Sequence, residues 1–148
     1  MDFLKREQAI CTVIDSLARR ESRTLRFKES FDQSMLPSAI VKISGEFLEV
    51  NDSLCEWLGY TKEELLSKTW QELTHKDYVE VDNELVKECV DGFRKGYKLR
   101  KKYIHKKGNI IVGYLFVSLI DSELDVFFLS NIFFADMLED DVCRNGSH

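Results

Sequence analysis

The sequence predicts an α+β domain: one antiparallel sheet with short helices crossing one of its faces, preceded by an amphipathic helix. Three observations predict it. Strand-like stretches stand before and after a run of short, separately capped helical pieces. Consecutive strands are joined by short turns, which pair neighbours antiparallel. From Phe3 to about residue 28 there is no Gly or Pro, and apolar side chains recur at helical spacing.

The leading helix puts Phe3, Ile10, Val13, Ile14 and Leu17 on one stripe, with Arg and Glu on the other faces. Beyond Leu17 the segment turns strongly polar through Arg19, Arg20, Glu21 and Arg23. The three or four unbroken heptads of a coiled coil are missing. Two readings stand: a dimerising or signalling helix, and an amphipathic helix packed on its own domain. Residues 1–30 are read as this helical extension, and Pro37, the sole proline, marks the passage into the domain proper.

Ala39 to Ser44 alternates in part, Gly45-Glu46 turns the chain, and Phe47 to Val50 returns as the second strand of a hairpin. Asn51 or Asp52 then caps a helix through Leu54, Cys55 and Leu58, and Gly59 supplies the left-handed residue that ends it. Thr61 starts another, with Glu64 as the reciprocal half of a capping box and Leu65 and Leu66 as its apolar side. Trp70 to Leu73 is a further short turn. Asp77 with Glu80 repeats the cap spacing and opens a longer helix, with Tyr78, Val81, Leu85, Cys89 and Phe93 along one side and Gly92 or Gly96 at its end.

After Gly96 the period becomes two. Tyr97, Leu99, Lys101, Tyr103 and His105 point one way; Lys98, Arg100, Lys102, Ile104 and Lys106 point the other. Lys107-Gly108-Asn109 makes a hairpin turn into Ile110 to Ile120, and Asp121-Ser122-Glu123 turns into Leu124 to Phe134. Both last strands are apolar on both faces: Leu115, Val117 and Leu119 against Tyr114, Phe116 and Ile120, then Val126 and Phe128 against Phe127, Leu129 and Phe133. A sheet with helices on one side should be polar on the other, so something is expected to cover the second face.

In this order, "AIVKISGEFLEVNDSLCEWLGYTKEELLSKTWQELTHKDY" followed by "YKLRKKYIHKKGNIIVGYLFVSLI" resembles the PAS domain family. The landmarks are Asn51, Trp57, Gly59 with Tyr60, Thr61 to Leu65, His75 to Asp77, and the strand from Gly108 onward. The resemblance implies a PAS domain over residues 31–135, with a five-stranded antiparallel sheet and helices folded over one face around a hollow. It also implies sensing of a small molecule, redox state or light, or dimerisation, with the signal passed through flanking helices. Short helices with their own caps shift singly more easily than one long packed helix.

Departures from the family pattern narrow this. Flavin-binding members carry a reactive cysteine in an "N-C-R-F-L-Q"-like run, whereas Trp70 to Tyr78 has neither cysteine nor arginine. Haem-binding members place a histidine on the long helix; Tyr78 to Phe93 has none, and His75 reads as a cap or packing residue. Both departures argue against those cofactors, and no other is specified.

Composition sets outer limits. A chain of 148 residues is the size of one domain plus an extension. A net charge of −5 argues against a surface built wholly for phosphate backbones. The basic run Lys95, Lys98, Arg100, Lys101, Lys102, His105, Lys106 and Lys107 is read as a solvated strand edge in preference to a nucleic-acid patch. Cys11, Cys55, Cys89 and Cys143 are too scattered for a zinc motif and read as reduced thiols of a cytoplasmic protein. No apolar run approaches the ~20 residues that cross a bilayer. No serine sits near a histidine in sequence and no glycine-rich phosphate loop is present, so no enzymatic chemistry is expected. Residues 136–148, with Asp136, Glu139, Asp140 and Asp141, read as an acidic tail or the first turns of an output helix.

The expectation is a stand-alone sensory or regulatory domain that forms a homodimer and binds a small apolar or amphipathic ligand, or a downstream signalling protein. Inward periodicity and family position nominate Ile43, Leu54, Leu58, Leu73, Leu85, Cys89, Phe116 and Phe128 as the pocket lining. The dimer candidates are Phe3, Ile10, Val13, Ile14 and Leu17 on the helix and Phe127, Leu129 and Phe133 on the last strand. The alternative is a ligand-free dimerisation module whose bulky residues fill the core.

Overall fold

The computed structural model describes residues 2–134. The chain divides into two compact units, one ending at Gln33 and the other beginning at Ser34. The first is a single helix, α1 (Asp2–Gln33), roughly 48 Å long at 1.5 Å per residue. It runs past residue 28 because Phe27 to Gln33 contains no helix breaker. Phe3, Ile10, Val13, Ile14 and Leu17 are all between 52% and 70% exposed. Thr12 and Thr24 turn their hydroxyls back to the carbonyls of Gln8 and Arg20, and Phe27 stacks on Phe31 with ring centres 6.2 Å apart.

The second unit runs β1 (Ser38–Val41), β2 (Phe47–Val50), α2 (Asp52–Leu58), α3 (Lys62–Leu66), a single 3₁₀ turn (Gln71–Leu73), α4 (Lys76–Val90), β3 (Gly96–Ile104), β4 (Ile110–Asp121) and β5 (Val126–Phe134). The strands form one antiparallel sheet in the order β2-β1-β5-β4-β3. The expected five-stranded α+β architecture is therefore the observed one. The hairpins pair as their short turns require, while β5 crosses to lie between β1 and β4 and closes the sheet around its middle.

Local chemistry makes each helix short. Asn51 caps α2 by accepting from the Leu54 N–H at 3.0 Å, and Gly59 ends it at φ 80°. A Cβ at Gly59 would also lie 2.4 Å from His105 Cε1, so glycine is required there twice over. Thr61 and Glu64 complete the capping box of α3. The cap of α4 is His75, whose Nδ1 accepts from the Asp77 N–H at 3.2 Å, two residues ahead of the Asp77 cap position that spacing suggests.

Between the helices and one face of the sheet lies the core, including Val50, Leu54, Leu58, Leu65, Leu115 and Phe128. Gly113 on β4 sits under it: a Cβ there would meet Trp57 at 2.7 Å, and Ile132 and Tyr103 at 2.9 Å. The helix stripe on α4 is rotated from the expected one. Asp82 and Cys89 are buried with Leu85 and Val86 against the core, whereas Val81 is 39% and Phe93 81% exposed.

The opposite sheet face carries Tyr114, Phe116, Ile120, Phe127, Leu129 and Phe133, all partly exposed in the single chain. Phe116 and Phe133 meet edge to face at 5.2 Å, and the Lys98 ammonium lies 5.7 Å over the Phe116 ring. Phe116 therefore faces away from the core, contrary to its expected place in the lining. Leu115 and Val117 point inward instead. With both faces of β4 apolar, periodicity fixes the alternation but not its phase.

Candidate functional site

On β3 the inward row is Tyr97, Leu99, Lys101 and Tyr103. Opposite it, α4 is held in place by its own entry segment. The His75 N–H donates to the Lys102 carbonyl at 2.9 Å, and Thr74 bridges antiparallel to Tyr103. These ties bring Asp82, on the second turn of α4, to the Lys101 side chain. The ammonium donates to Asp82 Oδ2 at 2.6 Å and to Thr74 Oγ1 at 2.9 Å. The Tyr97 hydroxyl donates to Asp82 Oδ1.

Lys101 and Asp82 are each 1% exposed. A charge so placed is tolerated only when paired and hydrogen-bonded, and both conditions are met. Aromatic faces complete the cage, with the ammonium 4.5 Å from the Tyr103 ring centre and 5.0 Å from that of Trp70. Burial pushes Lys101 below the usual lysine value, and the Asp82 charge and hydrogen bond push back. Burial raises the Tyr97 phenol, with the Asp82 carboxylate adding to the rise, and raises Tyr103 for the same two reasons.

These groups border a cavity of about 40 Å³. At roughly 10–15 Å³ per water position this holds about three waters or a molecule of similar bulk. Leu54 and Leu58 of α2, Leu73 of the 3₁₀ turn and Phe128 of β5 line it. So do Trp70, Val86, Tyr97, Lys101, Tyr103 and Asp82. Ile43 and Leu85 pack against the surrounding core and Cys89 is buried in it, but none of the three borders the cavity. Phe116 is on the other face.

Among the described residues two buried side-chain polar atoms have no hydrogen-bond partner, Gln71 Oε1 and the Tyr103 hydroxyl. Of the two residues Tyr103 lines the cavity, and as a whole it is 5% exposed. Reasoning from sequence missed Lys101, Asp82, Tyr97 and Tyr103 as site residues. The signal was present: alternation already put Lys101 between two tyrosines on one row. Lysine was instead counted with the basic run. The remainder of that run is solvated, and Lys106 pairs with Glu64 at 2.8 Å.

Asn51, a family landmark, is fully buried at the junction of β1 and α2. Besides capping α2, its Oδ1 accepts from the Ser38 N–H at 2.9 Å and its Nδ2 donates to the Leu36 carbonyl at 2.8 Å. One side chain thus ties the hairpin to the helical wall of the cavity.

The family model described as "PAS fold" matches residues 47–127, more than half of the chain. The chain belongs to the PAS family. PAS domains are sensory modules of signalling proteins. This PAS domain is 33% identical over 100 residues to a protein of Escherichia coli (strain K12) named "Probable diguanylate cyclase DgcE". That likeness covers 68% of this chain and 9% of the curated protein. Among solved structures, the PAS domain of an HTR-like protein from Haloarcula marismortui matches with a TM-score of 0.66 at 22% identity, covering 82% of this chain and 98% of that one. A PAS domain from Colwellia psychrerythraea matches at 0.68 and 18% identity, covering 76% and 96%. These likenesses are of fold.

Burial raises the thiols of Cys55 and Cys89. The low-pKa thiolate of a redox sensor is therefore not built at either position of this PAS domain. No helix among the described residues is long and apolar enough to cross a membrane.

Proposed function

We propose that this PAS domain works in the cytoplasm as a sensory module that holds a small molecule in the hollow between α2, α4 and the sheet, acting as a homodimer that signals to a partner protein without chemistry of its own. The observation that carries the reading is the set of polar groups in a largely apolar cavity: the Lys101–Asp82–Tyr97 network, Ser130, and a Tyr103 hydroxyl with no partner among the described residues. Apolar walls with a few placed polar groups are the usual make-up of a small-molecule site. The homodimer rests on two apolar surfaces, the exposed α1 stripe at Phe3, Ile10, Val13, Ile14 and Leu17 and the half-buried outer sheet face at Phe127, Leu129 and Phe133.

The small volume of the cavity favours a second reading, a dimerisation module with a nearly filled core. Native mass spectrometry of the purified chain separates the two. A retained small molecule at fixed stoichiometry supports sensing; a dimer with nothing bound supports the second reading. Sedimentation of the chain shortened to begin at Leu36 tests the dimer surfaces. Unchanged self-association would remove α1 from the interface, and a monomeric full-length chain would end the dimer proposal.

A further inference from the structure

We propose that the cavity recognises a small neutral molecule through a single hydrogen-bond-accepting oxygen, such as the carbonyl of a ketone, lactone or amide, held between the Tyr103 hydroxyl and the remaining ammonium hydrogen of Lys101. The inference rests on the ligand-binding reading above and names the class of ligand.

Its basis is a count of donors and charges. Lys101 Nζ has three hydrogens and two hydrogen-bond partners among the described residues, Asp82 and Thr74, which leaves one donor. The Tyr103 hydroxyl is buried at the same cavity with no partner. Asp82 is committed on both oxygens, Oδ2 to Lys101 and Oδ1 to Tyr97. Lys101 can only donate and the Tyr103 hydroxyl can donate or accept, so an oxygen acceptor is the kind of group that both can hold at once. Charge selects the kind of acceptor. Lys101 and Asp82 neutralise one another, so a carboxylate ligand would add an uncompensated charge to a largely apolar space, whereas a neutral carbonyl would not. The leucine and phenylalanine walls at Leu54, Leu58, Leu73 and Phe128 take the hydrocarbon part, and the cavity volume limits it to a handful of heavy atoms unless a wall moves.

The test titrates the ¹⁵N-labelled full chain with three probes of matched size and follows backbone amide shifts: cyclopentanone, its hydrocarbon counterpart methylenecyclopentane, and isobutyrate. Cyclopentanone is expected to shift the amides of cavity-lining residues saturably and to bind at least about tenfold tighter than methylenecyclopentane, since one well-made buried hydrogen bond is worth about that and two donors hold its oxygen. In Tyr103→Phe the ketone's advantage should shrink severalfold, the Lys101 hydrogen keeping the rest, with the affinity for methylenecyclopentane unchanged. Equal binding of ketone and hydrocarbon by the unaltered chain, or a ketone preference undiminished in Tyr103→Phe, overturns the inference and leaves the sensing proposal standing. Tightest binding by isobutyrate overturns the neutral-ligand claim. Saturable binding of none of the three overturns the inference together with the ligand-binding reading beneath it.

Discussion

Lys101 and Lys102 are neighbours on β3 with the same side chain, and the sheet sends them to opposite fates. Lys102 joins Lys98 and Arg100 on the outer row, where its ammonium needs only solvent. Lys101 enters the core, where it is 1% exposed, and is kept there by Asp82, Thr74 and two aromatic faces. A residue's type therefore does not set its role on a strand; phase does, because successive side chains leave by opposite faces. Once a charge is on the inner row, the fold must supply a partner or lose stability. α4 does so with an aspartate on what would otherwise be an apolar stripe.

The largest effect that would break this contrast comes from removing the partner. Asp82→Ala leaves a buried ammonium unpaired and should cost about 3–5 kcal/mol, while Lys102→Ala should stay within about 0.5 kcal/mol of the parent. Urea denaturation of both variants measures the difference, and similar midpoints would mean that Lys101 is not sealed in the core. Replacing the whole pair, Lys101→Met with Asp82→Leu, should recover most of the loss, since an apolar pair of similar bulk removes both desolvated charges.

Gly113 sharpens the same contrast from the backbone side. Gly113→Ala pushes a methyl against Trp57, Ile132 and Tyr103 and should cost about 1–3 kcal/mol, read from the same denaturation curves.

A smaller effect is the pH dependence of the inner row. Lys101 titrates below the ordinary lysine value in the folded chain, so between that lowered pKa and about 10.5 the unfolded chain binds one more proton, and stability should rise with pH. Tyr97 and Tyr103 are shifted upward, so above about pH 10 the folded chain keeps two protons that the unfolded chain releases, and stability should fall. The opposed contributions give a maximum near pH 10 and a decline beyond it of about 1.4 kcal/mol per pH unit for each net proton. Denaturation midpoints at pH 8, 10 and 11 test the sign. The variant carrying Tyr97→Phe and Tyr103→Phe should lose the alkaline decline.

The smallest expected change is a gain. Tyr103→Phe removes a buried hydroxyl that has no partner and should raise ligand-free stability by about 1 kcal/mol. A loss of similar size would show that the hydroxyl is satisfied by a bound molecule in solution.

Much of the fold was legible because its determinants are local. The capping by Asn51 (one of the two candidates that spacing offered), Gly59 and Thr61 with Glu64, and the Lys107-Gly108-Asn109 turn, each act within a few residues and stand where spacing puts them. Four of the eight nominated pocket residues, Leu54, Leu58, Leu73 and Phe128, border the cavity. Phe116 was misplaced because β4 is apolar on both faces, which leaves its phase to be set by pairing with β3 and β5. The α4 stripe was misjudged because an aspartate looks like solvent surface until its partner is seen.

The amino-acid order alone determined where α2 and α3 start and stop, which strands join by tight turns, and that the terminal hairpin would be apolar front and back, since each depends on neighbours along the chain. Only tertiary structure decided that Lys101 and Asp82, separated by 19 positions, meet in the core and leave Tyr103 with an unanswered hydroxyl. The physical reason is that burial and pairing are properties of a place, and the place of Lys101 exists only after α4 has been laid across β3.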